Sequence, residues 1–150
     1  MSAWLIDTHV WLALTFQNHP GHGLARSAFL AATPETPWLW CRATQQSFLR
    51  LASTPAITRV YDETRVTNQD AWMALEMLLA RPQVTVVDEP PGVMGLLGRL
   101  GAVEAAAPRR WMDAYLAAVA IAGGWRFLTL DRDFLAFRPE GLQLELLDGR

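Results

Sequence analysis

The chain has 150 residues, 51% of them hydrophobic and 19% charged, with a formal net charge of −2. That balance excludes a disordered polyelectrolyte and a binder of nucleic acid by bulk positive charge, and no apolar run approaches the ~20 residues that a membrane-spanning helix needs. A domain of this length buries roughly 68–70% of its unfolded surface, so residues 1–150 are expected to form one domain that needs no disulfide or structural metal.

No basic n-region precedes the first apolar run, so no secretory signal is expected. Residues 3–6 read as a first strand that ends abruptly at Asp7. From Val10 to Phe16, Val10, Trp11, Leu14 and Thr15 recur at helical spacing until Asn18-His19-Pro20-Gly21 breaks the pattern. A helix is predicted from His22 to Ala32. His19 and His22 flank a polar turn with no third ligand nearby, which favours a solvated loop over a metal site. Pro37 to Trp40 reads as a short, fully buried strand. Cys41 is the sole cysteine; no internal disulfide can form, which points to the reducing cytoplasm, and the residue is expected as a small buried hydrophobe.

Arg42 to Ala52 is predicted helical, with Thr44-Gln45-Gln46-Ser47 in its first turns. From Ser53 to Val66 the pattern fits irregular structure or a short helix. Thr67 to Ala80 is a capped amphipathic helix whose Ala71, Leu75, Leu78 and Leu79 form its apolar stripe. Val84 to Val87 is a β-branched strand, Val93 to Leu100 a short helix, residues 101–108 a loop, and Arg109 to Ala122 a helix. Phe127 to Leu130 reads as a buried strand and Leu142 to Leu146 as an edge strand. Strands alternating with helices predict an α/β fold, a three-layer α/β/α sandwich around a mostly parallel sheet.

In a parallel α/β sheet, strands end and helices begin along one edge, where ligands bind. Asp7 and Asp131 each terminate a strand, and Asp113 lies early in the helix feeding the second of these strands, so all three are expected on that edge. Asp113 also heads an inward stripe of Leu116, Ala117, Ala120 and Ile121. Three carboxylates gathered without a basic partner repel one another and gain from a hard divalent cation such as Mg²⁺ or Mn²⁺. Thr8 and Thr129 are candidates to orient these acids by hydrogen bonds, the alternative being ordinary turn and strand threonines.

Four stretches, Leu5-Ile6-Asp7-Thr8, Cys41 to Leu51, Trp111 to Ala120 and Leu128 to Phe134, resemble in order and spacing the PIN-domain ribonucleases, in particular the VapC toxins of type II VapBC toxin–antitoxin systems. The resemblance implies a Mg²⁺- or Mn²⁺-dependent endoribonuclease that cleaves structured RNA such as tRNA or rRNA, inhibits translation, and is silenced by a VapB-like antitoxin. It implies that Asp7, Asp113 and Asp131 are catalytic metal-site acids, with Asp133 as an added member, and that the early helices serve homodimer and antitoxin contacts. One departure stands out: the family usually carries a glutamate in the helix after the second strand, where this chain has Gln45, Gln46 and Ser47. Gln45 or Gln46 is expected to take that place without its charge.

All thirteen basic residues are arginine, a bias that composition alone attributes to GC-rich codons, although the forked guanidinium also suits phosphate. Arg132 and Arg110 stand nearest the acids in sequence and Arg42 flanks the polar start of its helix; these three are the candidates for RNA contact. Of the seven tryptophans, Trp4, Trp38, Trp40 and Trp125 belong with the core, and Trp11, Trp72 and Trp111 lie on helices; core or interface is favoured over base stacking for the set. The alternative to a nuclease is a weakened or inactive PIN-like domain that binds antitoxin or RNA without cleavage. A phosphatase of the haloacid-dehalogenase kind would need an aspartate where His9 stands.

Overall fold

The computed structural model describes residues 3–61 and 65–148. The opening strand β1 (Trp4–Ile6) is followed at once by α1 (Thr8–Thr15), because Asp7 ends the strand and caps the helix together. The helix therefore starts two residues earlier than the apolar spacing predicts. Then follow α2 (His22–Ala31), β2 (Trp38–Trp40), α3 (Arg42–Ala52) and a short α4 (Pro55–Thr58) that runs into a 3-10 turn at Arg59–Tyr61. The stretch from Ser53 to Val66 is thus short helix as far as Tyr61, and residues 62–64 lie outside the described residues.

The second half holds α5 (Asn68–Leu79), β3 (Val84–Val86), α6 (Val93–Gly101), α7 (Arg110–Gly123), β4 (Arg126–Thr129), a 3-10 helix (Arg132–Glu140) and β5 (Leu144–Leu146). Thr67 and Asp70 close a reciprocal capping box on α5, each accepting the other's backbone N–H at 3.0 Å. Helix α7 stops at Gly124, whose φ of 67° lets Trp125 N–H reach back to Ala120 O at 2.9 Å.

All five strands join one sheet in the order β3-β2-β1-β4-β5, every pair parallel. Strand alternation sends side chains to two separate cores. Ile6, Trp38, Trp40 and Leu128 pack against α1, α2, α3 and α5, while Leu5, Leu39 and Phe127 pack against α6, α7 and the 3-10 helix. The result is the three-layer α/β/α arrangement, with β5 at one edge as predicted. In the first core Trp11 lies flat on Trp40, ring centroids 3.9 Å apart and planes within 5°. Both indole Nε1–H groups are buried without an acceptor among the described residues, a cost of about 1–3 kcal/mol each that the surrounding apolar contacts offset. Trp11 thus belongs with the core tryptophans.

Candidate metal centre

Parallel pairing with β1 in the centre brings the C-terminal ends of β1 and β4 side by side. Ile6 is registered against Leu128, and Asp7 N–H continues the ladder by donating to Leu128 O at 3.0 Å. The next residue of β4, Thr129, therefore stands beside Asp7, and its hydroxyl donates to Asp7 Oδ2 at 2.6 Å. The other carboxylate oxygen accepts Thr8 N–H at 2.8 Å. Thr129 Oγ1 also accepts Asp131 N–H at 3.0 Å, and Asp131 Oδ1 accepts Asp133 N–H at 2.8 Å. One chain of hydrogen bonds thus runs from Asp7 through Thr129 to Asp131 and the turn that carries Asp133.

From the facing layer, the first turn of α7 presents Asp113. Oxygens of Asp113, Asp131 and Asp133 lie within 4.8 Å of one another. Asp7 lies outside this trio, deeper and only 6% exposed, with both oxygens already engaged by Thr129 and Thr8. Its charge is nevertheless felt. Burial pushes the Asp113 carboxyl up to about 6, and the charges of Asp7, Asp131 and Asp133 push in the same direction against a smaller opposing effect from Arg110. Burial also raises the Asp7 carboxyl above the usual range, opposed first by the Thr129 hydroxyl and then by the charge of His9.

Among the described residues, neither of the two side-chain ion pairs, Arg99–Glu140 and Arg132–Asp148, involves these four acids. An all-oxygen donor set with mutual repulsion and no ion-pair partner among the described residues fits a hard divalent ion, which would relieve both the repulsion and the desolvation. Such an ion takes carboxylate oxygens while leaving coordination positions for water or phosphate.

The other sequence-predicted positions divide clearly. Gln45 is buried at 4% exposure and Gln46 is exposed, so Gln45 is the amide that the first turn of α3 turns inward. Its Oε1 accepts Arg42 Nη1–H at 2.7 Å. Arg110 is tied into the fold, donating from Nε to Leu100 O at 2.8 Å and lying over the Phe137 ring at 4.8 Å. Arg132 is exposed and reaches Asp148 at 3.4 Å. Thr8 is buried beside Asp7. His19 and His22 are turn residues, with His19 Nδ1 accepting Gly21 N–H and His22 Nδ1 bonded to Ala13 O, each at 2.9 Å. Cys41 is buried, its sulfur 3.6 Å from Thr44 Oγ1. His9, which the sequence reading leaves outside the site, lies in the first turn of the helix that Asp7 caps, near enough for its charge to act on that acid.

The geometry agrees with what the chain is similar to. Residues 4–138 match the family model of the PIN domain. Over 144 residues the chain is 35% identical to ribonuclease VapC41 of Mycobacterium tuberculosis, spanning 95% of this chain and 97% of that protein. It is 30% identical to ribonuclease VapC44 of the same organism, covering 85% of each. Among solved structures, VapBC-1 from nontypeable Haemophilus influenzae superposes with a TM-score of 0.66 at 14% identity, covering 97% of this chain and 98% of that one. The chain belongs to the PIN-domain family, alongside the VapC ribonucleases.

Proposed function

We propose that this protein is the toxin of a type II toxin–antitoxin pair, a metal-dependent endoribonuclease that cuts structured RNA such as tRNA or rRNA and so inhibits translation. The observation that carries this reading is the convergence of Asp113, Asp131 and Asp133 within 4.8 Å, at the end of the strand pair that buries Asp7. Its likeness to VapC ribonucleases over nearly the whole chain supports the RNA substrate and a VapB-like antitoxin as partner. The cytoplasm is its natural compartment, and a homodimer its working form.

In this reading Asp7, Asp113 and Asp131, with Asp133, hold Mg²⁺ or Mn²⁺. When bound, the ion supplies an activated water and charge stabilisation for phosphodiester hydrolysis. The chain's own residues prepare the place for it. Thr129 and Thr8 fix the Asp7 carboxylate in one orientation, and the Asp131–Asp133 turn aims two acids at Asp113. The uncompensated charge of these acids would repel a phosphate backbone, and a bound divalent cation would offset it. Gln45 leaves the acid set one charge short of the family pattern, which weakens the hold on a second ion. The inactive-domain alternative is disfavoured because Asp113, Asp131 and Asp133 are gathered and Asp7 is held behind them through Thr129.

Purified chain incubated with total RNA and Mg²⁺ or Mn²⁺, beside Asp7→Asn and Asp113→Asn, tests the assignment. Cleavage by the parent chain and its loss in both variants is the expected result. Intact RNA with either metal would overturn it.

A further inference from the structure

On the sheet face that carries the first core, four neighbouring strands place Trp38, Trp4, Leu128 and Glu145 on one side. Trp4 is registered against Trp38, Ile6 against Leu128, and Leu128 against Glu145, and alternation along each strand turns these residues the same way. Trp4 and Trp38 open their strands, so they stand at the end of the sheet opposite to the acids. Helix α2 faces them with Ala28, Ala31 and Ala32, small side chains on one stripe, and between helix and sheet lies a hollow of about 310 Å³. Its walls are set without a ligand. Trp38 is buried and meets Trp11 and Phe29 edge-on, with ring centroids 5.3 and 5.2 Å away, and the Arg126 guanidinium lies over the Trp4 ring at 4.9 Å. Thr36 and Glu145 are the polar side chains of the lining. The Thr36 hydroxyl is already shared with Thr33 Oγ1 at 2.9 Å, whereas Glu145 enters no side-chain hydrogen bond or ion pair among the described residues.

We propose that this hollow is a second site, which binds a small organic cation: an ammonium group on an aromatic or branched aliphatic body. The body lies against Trp4, Trp38 and Leu128, and the charge meets Glu145. A volume of about 310 Å³ stands at the lower end of the ~300–1,000 Å³ of small-ligand pockets, which pair mostly apolar walls with a few polar groups that fix orientation. Indole rings attract a cation as well as apolar surface. A ligand seated here covers part of the Glu145 carboxylate, and only a cation offsets the water that this carboxylate loses. The same carboxylate repels phosphate, which separates this site from any path taken by RNA. The proposal therefore stands apart from the ribonuclease reading.

The test is titration of the isotope-labelled full chain with phenethylammonium, phenethyl alcohol and phenylpropionate, three probes of similar shape that carry positive, no and negative charge. The indole N–H signals of Trp4 and Trp38 report binding. Saturable shifts with phenethylammonium are expected, with an affinity about fivefold above that of the alcohol and with phenylpropionate the weakest of the three. Glu145→Gln, an exposed change that leaves the walls intact, should bring the ammonium and the alcohol to equal affinity. Ala28→Phe, on the half-buried side of α2, should fill the hollow and abolish both, with a melting curve to show that the fold is kept. No saturable shift in the parent chain, equal affinity for the ammonium and the alcohol, or an ammonium preference that survives Glu145→Gln would overturn the proposal. A parent chain that binds no probe and sediments as a larger species than Ala28→Phe would assign this face to a contact between copies and overturn it too.

Discussion

Thr129 gives its hydroxyl hydrogen to Asp7 Oδ2 at 2.6 Å and accepts Asp131 N–H on the same oxygen at 3.0 Å. One fully buried hydroxyl therefore sets the orientation of an acid on β1 and of the turn after β4.

Removing that hydroxyl leaves a buried carboxylate oxygen and a backbone N–H without their partner. Thr129→Val is expected to destabilise the chain by about 1–3 kcal/mol and to lower divalent-cation affinity by roughly 10- to 100-fold. Thr129→Ser keeps the hydroxyl and should retain most of both. Thermal melts and calorimetric Mn²⁺ titrations of the two variants check this; equal behaviour of Val and Ser would contradict it.

The Asp113 carboxyl, pushed up to about 6 from an ordinary 3.8, makes the metal-free fold sensitive to pH. Between these values the folded chain holds a proton that the unfolded chain has lost. The stabilisation is full below about pH 4 and is lost as pH rises through about 6. Asp113→Asn should therefore melt higher than the parent chain near neutral pH without metal. The difference is about 1 kcal/mol after discounting for solvent screening of a half-exposed group, or about 2–4 °C. It should vanish below about pH 4, and melting curves across pH without added metal read it directly.

Gln45 stands where a further acid would add charge at the same sheet edge, since β2 neighbours β1 and α3 begins at its end. Gln45→Glu is expected to tighten Mn²⁺ binding several-fold by Coulomb attraction, while Arg42 keeps its partner as a charged pair. An unchanged affinity in the titration would place Gln45 outside the centre.

The arginines nearest the acids should separate into two kinds. Arg132→Ala removes an exposed cation and should flatten the slope of log affinity for RNA against log salt by about 0.7, the release expected per single-strand phosphate contact. Arg110→Ala should leave that slope unchanged and lower the melting temperature, because Arg110 is spent on Leu100 O and the Phe137 face. RNA titrations at several salt concentrations distinguish them.

Much of this arrangement was legible in the residues. The apolar runs ending in Asp7 and before Asp131, separated by periodic helices, were enough to place both acids on one edge, because in a parallel sheet chain direction dictates the edge. Asp113 was legible for the same reason, and the threonines as their companions. Depth was not legible: spacing puts Asp7 and Asp113 on an equal footing, whereas register against β4 buries Asp7 and leaves Asp113 half-open. Nor could spacing choose between Gln45 and Gln46, which depends on the angle at which α3 leaves β2. The contacts of Arg110 and Trp111 were hidden because both depend on where the end of α6 lies, a meeting of segments that no local pattern encodes.

The central claim is that the acids at this edge hold a divalent cation. Calorimetric titration of the chain with Mn²⁺ near neutral pH, beside Asp113→Asn and Asp131→Asn, tests it most directly. The account predicts saturable binding by the parent chain and its loss in both variants. Absence of binding by the parent, or binding of equal strength in all three, would contradict it.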